Sequence, residues 1–185
     1  PAGAQLLLQQ ALNLGHPLAG VWLAVLGQNE PQLGIDERAL LPALRRTRPA
    51  LLAAAEAGDE RAAYTLGIAC AEGLACLEDL PAAVRWFALA TRAGFAPAAL
   101  ALGQAYEYGE GIPNDLRLAK ANYDLAASLG ESQAWLKLPQ WAKNGIAGPA
   151  NPEAMNQALR AAMALGEPDA WISQIVGELA AYETA

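Results

Sequence analysis

Residues 106–123 read YEYGEGIPNDLRLAKANY. A glycine, an acid and a second glycine stand between a tyrosine-rich segment and a segment of helical character. Glycine-rich turns of this kind either cradle a phosphate or reverse the chain at a helix end. The phosphate cradles follow a strand, and carry a Lys-Ser/Thr pair or the longer glycine spacing of a dinucleotide fingerprint. Gly109-Glu110-Gly111 follows helix-forming residues and has neither feature. It reads as a turn.

Its surroundings recur. Gly58, Gly94, Gly130 and Gly166 are each 36 residues apart, and the same step links Gly73, Gly109 and Gly145. Leu66, Leu102 and Leu138 keep that spacing, as do Asp79, Asp115 and Asn151, and Phe87, Tyr123 and Leu159. The alanine columns 62, 98, 134, 170 and 90, 126, 162 agree as well. Many columns sharing one period identify a repeat architecture. The turn therefore has counterparts at Gly73-Leu74-Ala75 and Gly145-Ile146-Ala147, which no phosphate chemistry explains.

Each unit predicts two helices. Residues 97–108 place Ala98, Leu102, Gly103 and Tyr106 on one face, and Gly109 provides the left-handed residue that closes helices. Asp115 is the N-cap of the second helix, with Ala119, Tyr123, Ala126 and Ala127 facing inward and Gly130 at its end. Small residues such as Gly103 and Ala126 permit close helix approach, with Tyr123 filling the space beside them.

Composition agrees. The chain is 54% hydrophobic but only 6% aromatic, so its apolar content is largely Ala and Leu, strong helix formers. Sparse β-branched residues leave little for a sheet. A net charge of −7 and a pI near 4.7 argue against duplex nucleic acid or an anionic membrane as the partner, because both demand a basic face. The cluster Arg45, Arg46 and Arg48 reads as a solvated helix face. The longest apolar run, residues 17–27, falls short of the roughly 20 residues a bilayer requires. The opening PAGAQLLLQQ lacks a basic n-region and is not read as a signal peptide; Pro1 is read as the start of a processed form or an excised fragment.

The run Ala99, Leu102-Gly103, Tyr106, Gly109-Glu110-Gly111-Ile112, Asp115, Lys120-Ala121, Tyr123, Ala126-Ala127, Gly130 resembles one complete Sel1-like repeat, a relative of the tetratricopeptide repeat. Residues 60–95 resemble it through Leu66-Gly67, Gly73, Asp79, Ala82-Ala83, Trp86-Phe87, Ala90 and Gly94, departing at Cys70 and Cys76, where the family has Tyr and Val. Residues 132–167 match less well, with Pro139 in place of the helix glycine and added bulk at Trp135 and Trp141. The expectation is an all-α chain: one α/α superhelical solenoid of antiparallel helix pairs over residues 1–185. Residues 1–15 form a partial repeat, 16–59 a repeat with a lengthened second helix, 60–95 and 96–131 full repeats, 132–167 a degenerate repeat, and 168–185 a capping helix. The lengthening follows from a spacing of 43 between Asp36 and Asp79, seven more than the period. Seven residues are about two α-turns, so the inward face is kept; Pro42 and Pro49 are expected to kink or break that helix. The resemblance implies a right-handed superhelix whose concave side is lined by the first helices.

Chemistry finds little to work with. His16 is the one histidine and reads as a turn residue. Asp79 and Asp115 read as caps, and Glu107 with Glu110 forms no evident acid–base pair. Neither catalytic residues, nor a metal site, nor a cofactor is assigned. The family resemblance leaves Cys70 and Cys76 either as buried thiols or as a bridge.

Mapping the concave columns by that resemblance assigns partner contacts to Tyr64, Ile68, Glu72, Leu100, Gln104, Glu107, Tyr108, Gln140 and Lys143, with Val21 and Val25 continuing the row. Aromatic anchors within a polar surround mark interfaces, so Tyr64 and Tyr108 are expected to bind rather than pack. The resemblance implies a non-enzymatic adaptor or scaffold of a bacterial multiprotein assembly, holding a protein or peptide. Its alternatives are a hydrolase-like repeat enzyme and a dedicated chaperone or immunity-type binder. Partners exclude nucleic acid and membrane insertion, the oligomeric state is open, and family habit favours the periplasm over the cytoplasm.

Overall fold

The computed structural model describes residues 2–74 and 77–131, together with 133, 134, 137, 138, 141, 145 and 146. Among the described residues seven α-helices have defined bounds, in order: α1 (Ala2–Asn13), α2 (Ala19–Asn29), α3 (Glu37–Glu56), α4 (Glu60–Ala71), α5 (Leu80–Arg92), α6 (Ala96–Tyr108) and α7 (Leu116–Ser128). A short 3-10 turn, Pro31–Leu33, joins α2 to α3. Among the described residues there is no strand.

Sequence dictates the helix starts. Asp36, Asp59, Asp79 and Asp115 each sit in extended or near-extended backbone and accept hydrogen bonds from amides in the first turn of the helix that follows. Each cap satisfies donors that the helix cannot, and is worth about 1 kcal/mol. The ends are equally regular. The amides of His16, Asp59, Phe95 and Glu131 donate to the carbonyls of Ala11, Ala54, Ala90 and Ala126, at 2.9–3.0 Å. In each case the preceding glycine has positive φ, the signature of a Schellman closure.

The turn at 109–111 resolves as a turn. Gly109 is the left-handed cap of α6, and Glu110 N–H donates to Ala105 O at 3.0 Å. Gly111 has a different purpose. A Cβ there would lie 2.4 Å from the carbonyl carbon of Leu80, at the start of the preceding unit's second helix. The glycine lets one repeat's turn press against the backbone of another. Asp115 N–H then reaches Tyr106 O at 3.0 Å, as Asp79 N–H reaches Cys70 O at 2.9 Å, one repeat earlier.

Helices pair as α2/α3, α4/α5 and α6/α7, and each second helix also packs on the first helix of the next unit. Two close crossings repeat. A Cβ on Gly67 would meet the Phe87 ring at 2.3 Å, and one on Gly103 the Tyr123 ring at 2.7 Å. The inward stripe Ala119, Tyr123, Ala126 and Ala127 is buried as the pattern predicts. Beyond α7, the described residues Ala134, Leu138 and Trp141 are buried at helical spacing and join the core around Tyr123.

Of the two outcomes expected of the prolines, a kink or a break, the break does not occur. α3 is 20 residues against 13 in α5 and α7, which gives the predicted extra seven. Yet it runs through Pro42 and Pro49 unbroken. Both prolines are exposed and seven apart, on one solvent-facing side. The carbonyls of Arg38 and Arg45, which lose their helical donors to those prolines, belong to exposed residues, where solvent can compensate the lost bonds. Cys70 is buried; Cys76, most of the unit 132–167 and the capping helix 168–185 lie outside the described residues.

Candidate interaction face

Tyr64 sits where two repeats meet, close to the start of α6. Its ring centroid lies 6.0 Å from that of Trp22 on α2, 5.6 Å from Phe87 on α5 and 5.2 Å from Phe95 ahead of α6. Trp22 Nε1–H donates to Thr65 Oγ1 at 3.2 Å, fastening α2 to α4. Burial, and secondarily the negative charge of Glu131, raises the Tyr64 phenol's pKa above its ordinary value. The ring does not stand clear as expected: it is half-buried at the centre of an inter-repeat aromatic cluster.

Other members of the predicted row divide. Leu100 is 8% exposed and belongs to the core, as does Val21. Ile68 is half-buried and packs against two core clusters, and Val25 packs against one of them. Leu100 and Val21 are therefore core and not surface, while Ile68 and Val25 keep part of their surface exposed. Glu72 is exposed at the end of α4, Gln104 half-buried, and Tyr108 is 60% exposed. Gln140 and Lys143 lie outside the described residues.

Glu107 is engaged in a network that the row did not include. Tyr123 Oη donates to Glu107 Oε2. Lys137 Nζ donates to both oxygens of Glu107, at 3.1 and 3.3 Å, and to Tyr108 Oη at 3.0 Å. The ammonium also lies 5.4 Å from the centre of the Tyr108 ring and 5.9 Å from that of Tyr123, within cation–π range. Trp141 meets Tyr123 edge to face, with centroids 5.4 Å apart. Burial, then the hydrogen bond and charge of Glu107, pushes the Tyr123 phenol's pKa well up. For Lys137, burial opposes the charge, but the hydrogen bonds to Tyr108 and Glu107 outweigh it and raise the pKa. Nothing in the sequence announces this network, because Glu107 and Lys137 are 30 residues apart and meet only once α6 and the next first helix are stacked.

The chemistry of the network is that of a clamp. Tyr123 is held as a phenol and Glu107 as the partner of a lysine, while Lys137 fixes the oxygen of an exposed ring. Among the described residues, no group of three or more His, Cys, Asp or Glu side chains is placed to hold a metal ion. No described helix is long and apolar enough to cross a membrane.

No family model and no curated protein matches the chain. Solved structures do. The Sel1 repeat protein of Oxalobacter formigenes aligns with a TM-score of 0.62 at 26% identity, over 66% of this chain and 50% of that one. The chain has the fold of the Sel1-like repeat proteins. Antigen c5321 of uropathogenic Escherichia coli, which displays the same repeat fold, aligns over 95% of this chain and 36% of its own, with a TM-score of 0.67 at 21% identity. Helicobacter pylori cysteine rich protein B aligns over 71% of this chain and 92% of its own, with a TM-score of 0.54 at 18% identity. The chain thus spans half the length of the first of these proteins and 36% of the second. Solenoids of such repeats serve in general as interaction modules, presenting extended concave surfaces to their partners.

Proposed function

We propose that this Sel1-like chain is a non-enzymatic adaptor or scaffold, holding a protein or peptide of a bacterial assembly on the concave face formed by its first helices. One observation carries the reading: Tyr108 exposes 60% of its surface while its hydroxyl is fixed by Lys137. An aromatic ring held in place before binding loses little rotamer freedom when a partner covers it, and aromatic anchors dominate interface energies. Gln104, one helical turn earlier on α6, adds an amide beside it.

The experiment is affinity capture from the source cell with the intact chain as bait, set against a Tyr108→Ala, Gln104→Ala double variant. The reading expects the specifically captured protein to be depleted at least tenfold on the variant, at unchanged melting temperature. Equal capture by both baits contradicts it.

A further inference from the structure

The two extra turns of α3 repeat the seven residues beside them. Residues 38–44 read RALLPAL and residues 45–51 read RRTRPAL, so Arg, Pro, Ala and Leu recur in the same places. Seven residues are about two α-turns, and each copy therefore presents the same faces. Leu44 and Leu51 turn inward, exposed by 5% and 2%. Arg38, Pro42, Arg45 and Pro49 are exposed and follow one another at helical spacing as a single outward stripe. Leu52 continues the stripe with 37% of its surface exposed.

The fold needs the inner half of this pattern and not the outer. α3 packs on α2 and α4, with Leu40, Leu44 and Leu51 in the core. Proline is the residue a helix interior tolerates least, and here it occurs twice, each time one turn after an arginine of the stripe. Where exposed residues break a local rule and gain no packing, a surface function is the expected cause.

Charge says what that surface meets. α3 carries Arg38, Arg45, Arg46 and Arg48 against Glu37 and Glu56, whereas the rest of the chain has eight basic and seventeen acidic residues. The four arginines are exposed and take part in neither ion pair found among the described residues. The Asp36 carboxylate is committed to capping the helix, and Glu56, the acid in line with the stripe, stands seven residues beyond Pro49. A long polyanion or an anionic bilayer would also confront the acidic remainder of the chain, while a short segment meets the arginines alone.

We propose that the outward stripe of α3 is a docking site for an acidic helix of a partner protein, with Asp or Glu seven residues apart and an apolar residue one turn from each. Two turns of the partner match two turns of α3, so its carboxylates pair with Arg38 and Arg45 in register. Its apolar residues cover Pro42, Pro49 and Leu52. The stripe lies on a second helix, apart from the face formed by the first helices, so it stands or falls independently of the concave-face reading.

The test pans a displayed library of helical peptides, randomised on one face, against the full chain and measures the enriched peptides by fluorescence anisotropy. Enriched peptides should carry Asp or Glu seven residues apart with Leu, Ile or Phe between them. Their affinity should fall about fivefold on Arg45→Gln, the size of an accessible ion pair, and further on the Arg38→Gln, Arg45→Gln double variant. Arg45→Lys should restore part of the loss, and added salt should weaken binding. All three variants should keep the melting temperature, because the positions are exposed. Enrichment without the acid pair, affinity unmoved by the arginine variants, or no enrichment at all would each overturn the proposal. So would a DNA duplex, phosphatidylserine vesicles or a second copy of the chain bound through the same arginines at about 0.15 M salt. Peptides that ignore the arginine variants but are lost on Tyr108→Ala would remove the α3 site and leave the concave-face reading standing.

Discussion

The ring of Tyr123 fills the space that Gly103 leaves between α6 and α7: a Cβ on that glycine would stand 2.7 Å from two ring carbons. Gly67 and Phe87 repeat the arrangement one unit earlier, at 2.3 Å. These contacts set how closely the two helices of a unit approach, and so how the units stack.

Their sign is diagnostic. In an exposed helix interior, Gly→Ala stabilises by roughly 1 kcal/mol. At Gly103 and Gly67 the added methyl must displace a buried ring, and overpacking costs about 1–3 kcal/mol. Each substitution should therefore lower the urea midpoint in equilibrium unfolding. A raised midpoint at either position would place that glycine away from the helix crossing.

Tyr64→Ala should destabilise strongly, by about 2–4 kcal/mol, because it removes the ring that touches Trp22, Phe87 and Phe95 and leaves a void between units. Tyr108→Ala, at 60% exposure, should alter stability by no more than about 0.5 kcal/mol. Calorimetric melting of the two variants separates packing from surface. Equal melting temperatures would contradict the division.

The difference between those tyrosines marks what the sequence could convey. The period, the aspartate caps and the glycine ends depend on residues close together in the chain, and each was legible as a pattern. Tyr64 and Leu100 could be placed in a column but not assigned to core or surface, because their burial depends on neighbouring units. The pairing of Glu107 with Lys137 has no local signature at all. That α3 continues through its prolines has a related reason: proline's cost depends on whether solvent or protein faces the lost bond.

That cost is measurable. Pro49→Ala in α3 restores an amide in an exposed helical interior, where proline is disfavoured by about 3 kcal/mol. The unfolded chain gains freedom in exchange and returns part of this, so a net stabilisation of about 1–2 kcal/mol is expected in urea unfolding. A loss of stability would contradict the continuous helix.

Alkali should unlock the tyrosine network. The folded-state pKa of Tyr123 is raised above 10.0 and that of Lys137 above 10.5. A raised folded pKa contributes stability that is complete below the unfolded value and lost as pH rises through the folded one. The unfolding free energy should therefore show no loss from these groups up to about pH 10 and decline above it. Tyr123→Phe should make that decline shallower without removing it, since Lys137 and Tyr64 shift in the same direction. Urea titrations from pH 8 to 11.5 give the comparison, and an unchanged alkaline slope in the variant would exclude the phenol as a contributor.

The central claim, that the first helices form the face that holds a partner, is tested most directly by hydrogen–deuterium exchange on the chain alone and bound to the protein it captures. The account predicts new protection in α4 and α6, centred on peptides containing Glu72, Gln104 and Tyr108, with α5 and the outer side of α7 unchanged. Protection confined to α5 and α7 would contradict it.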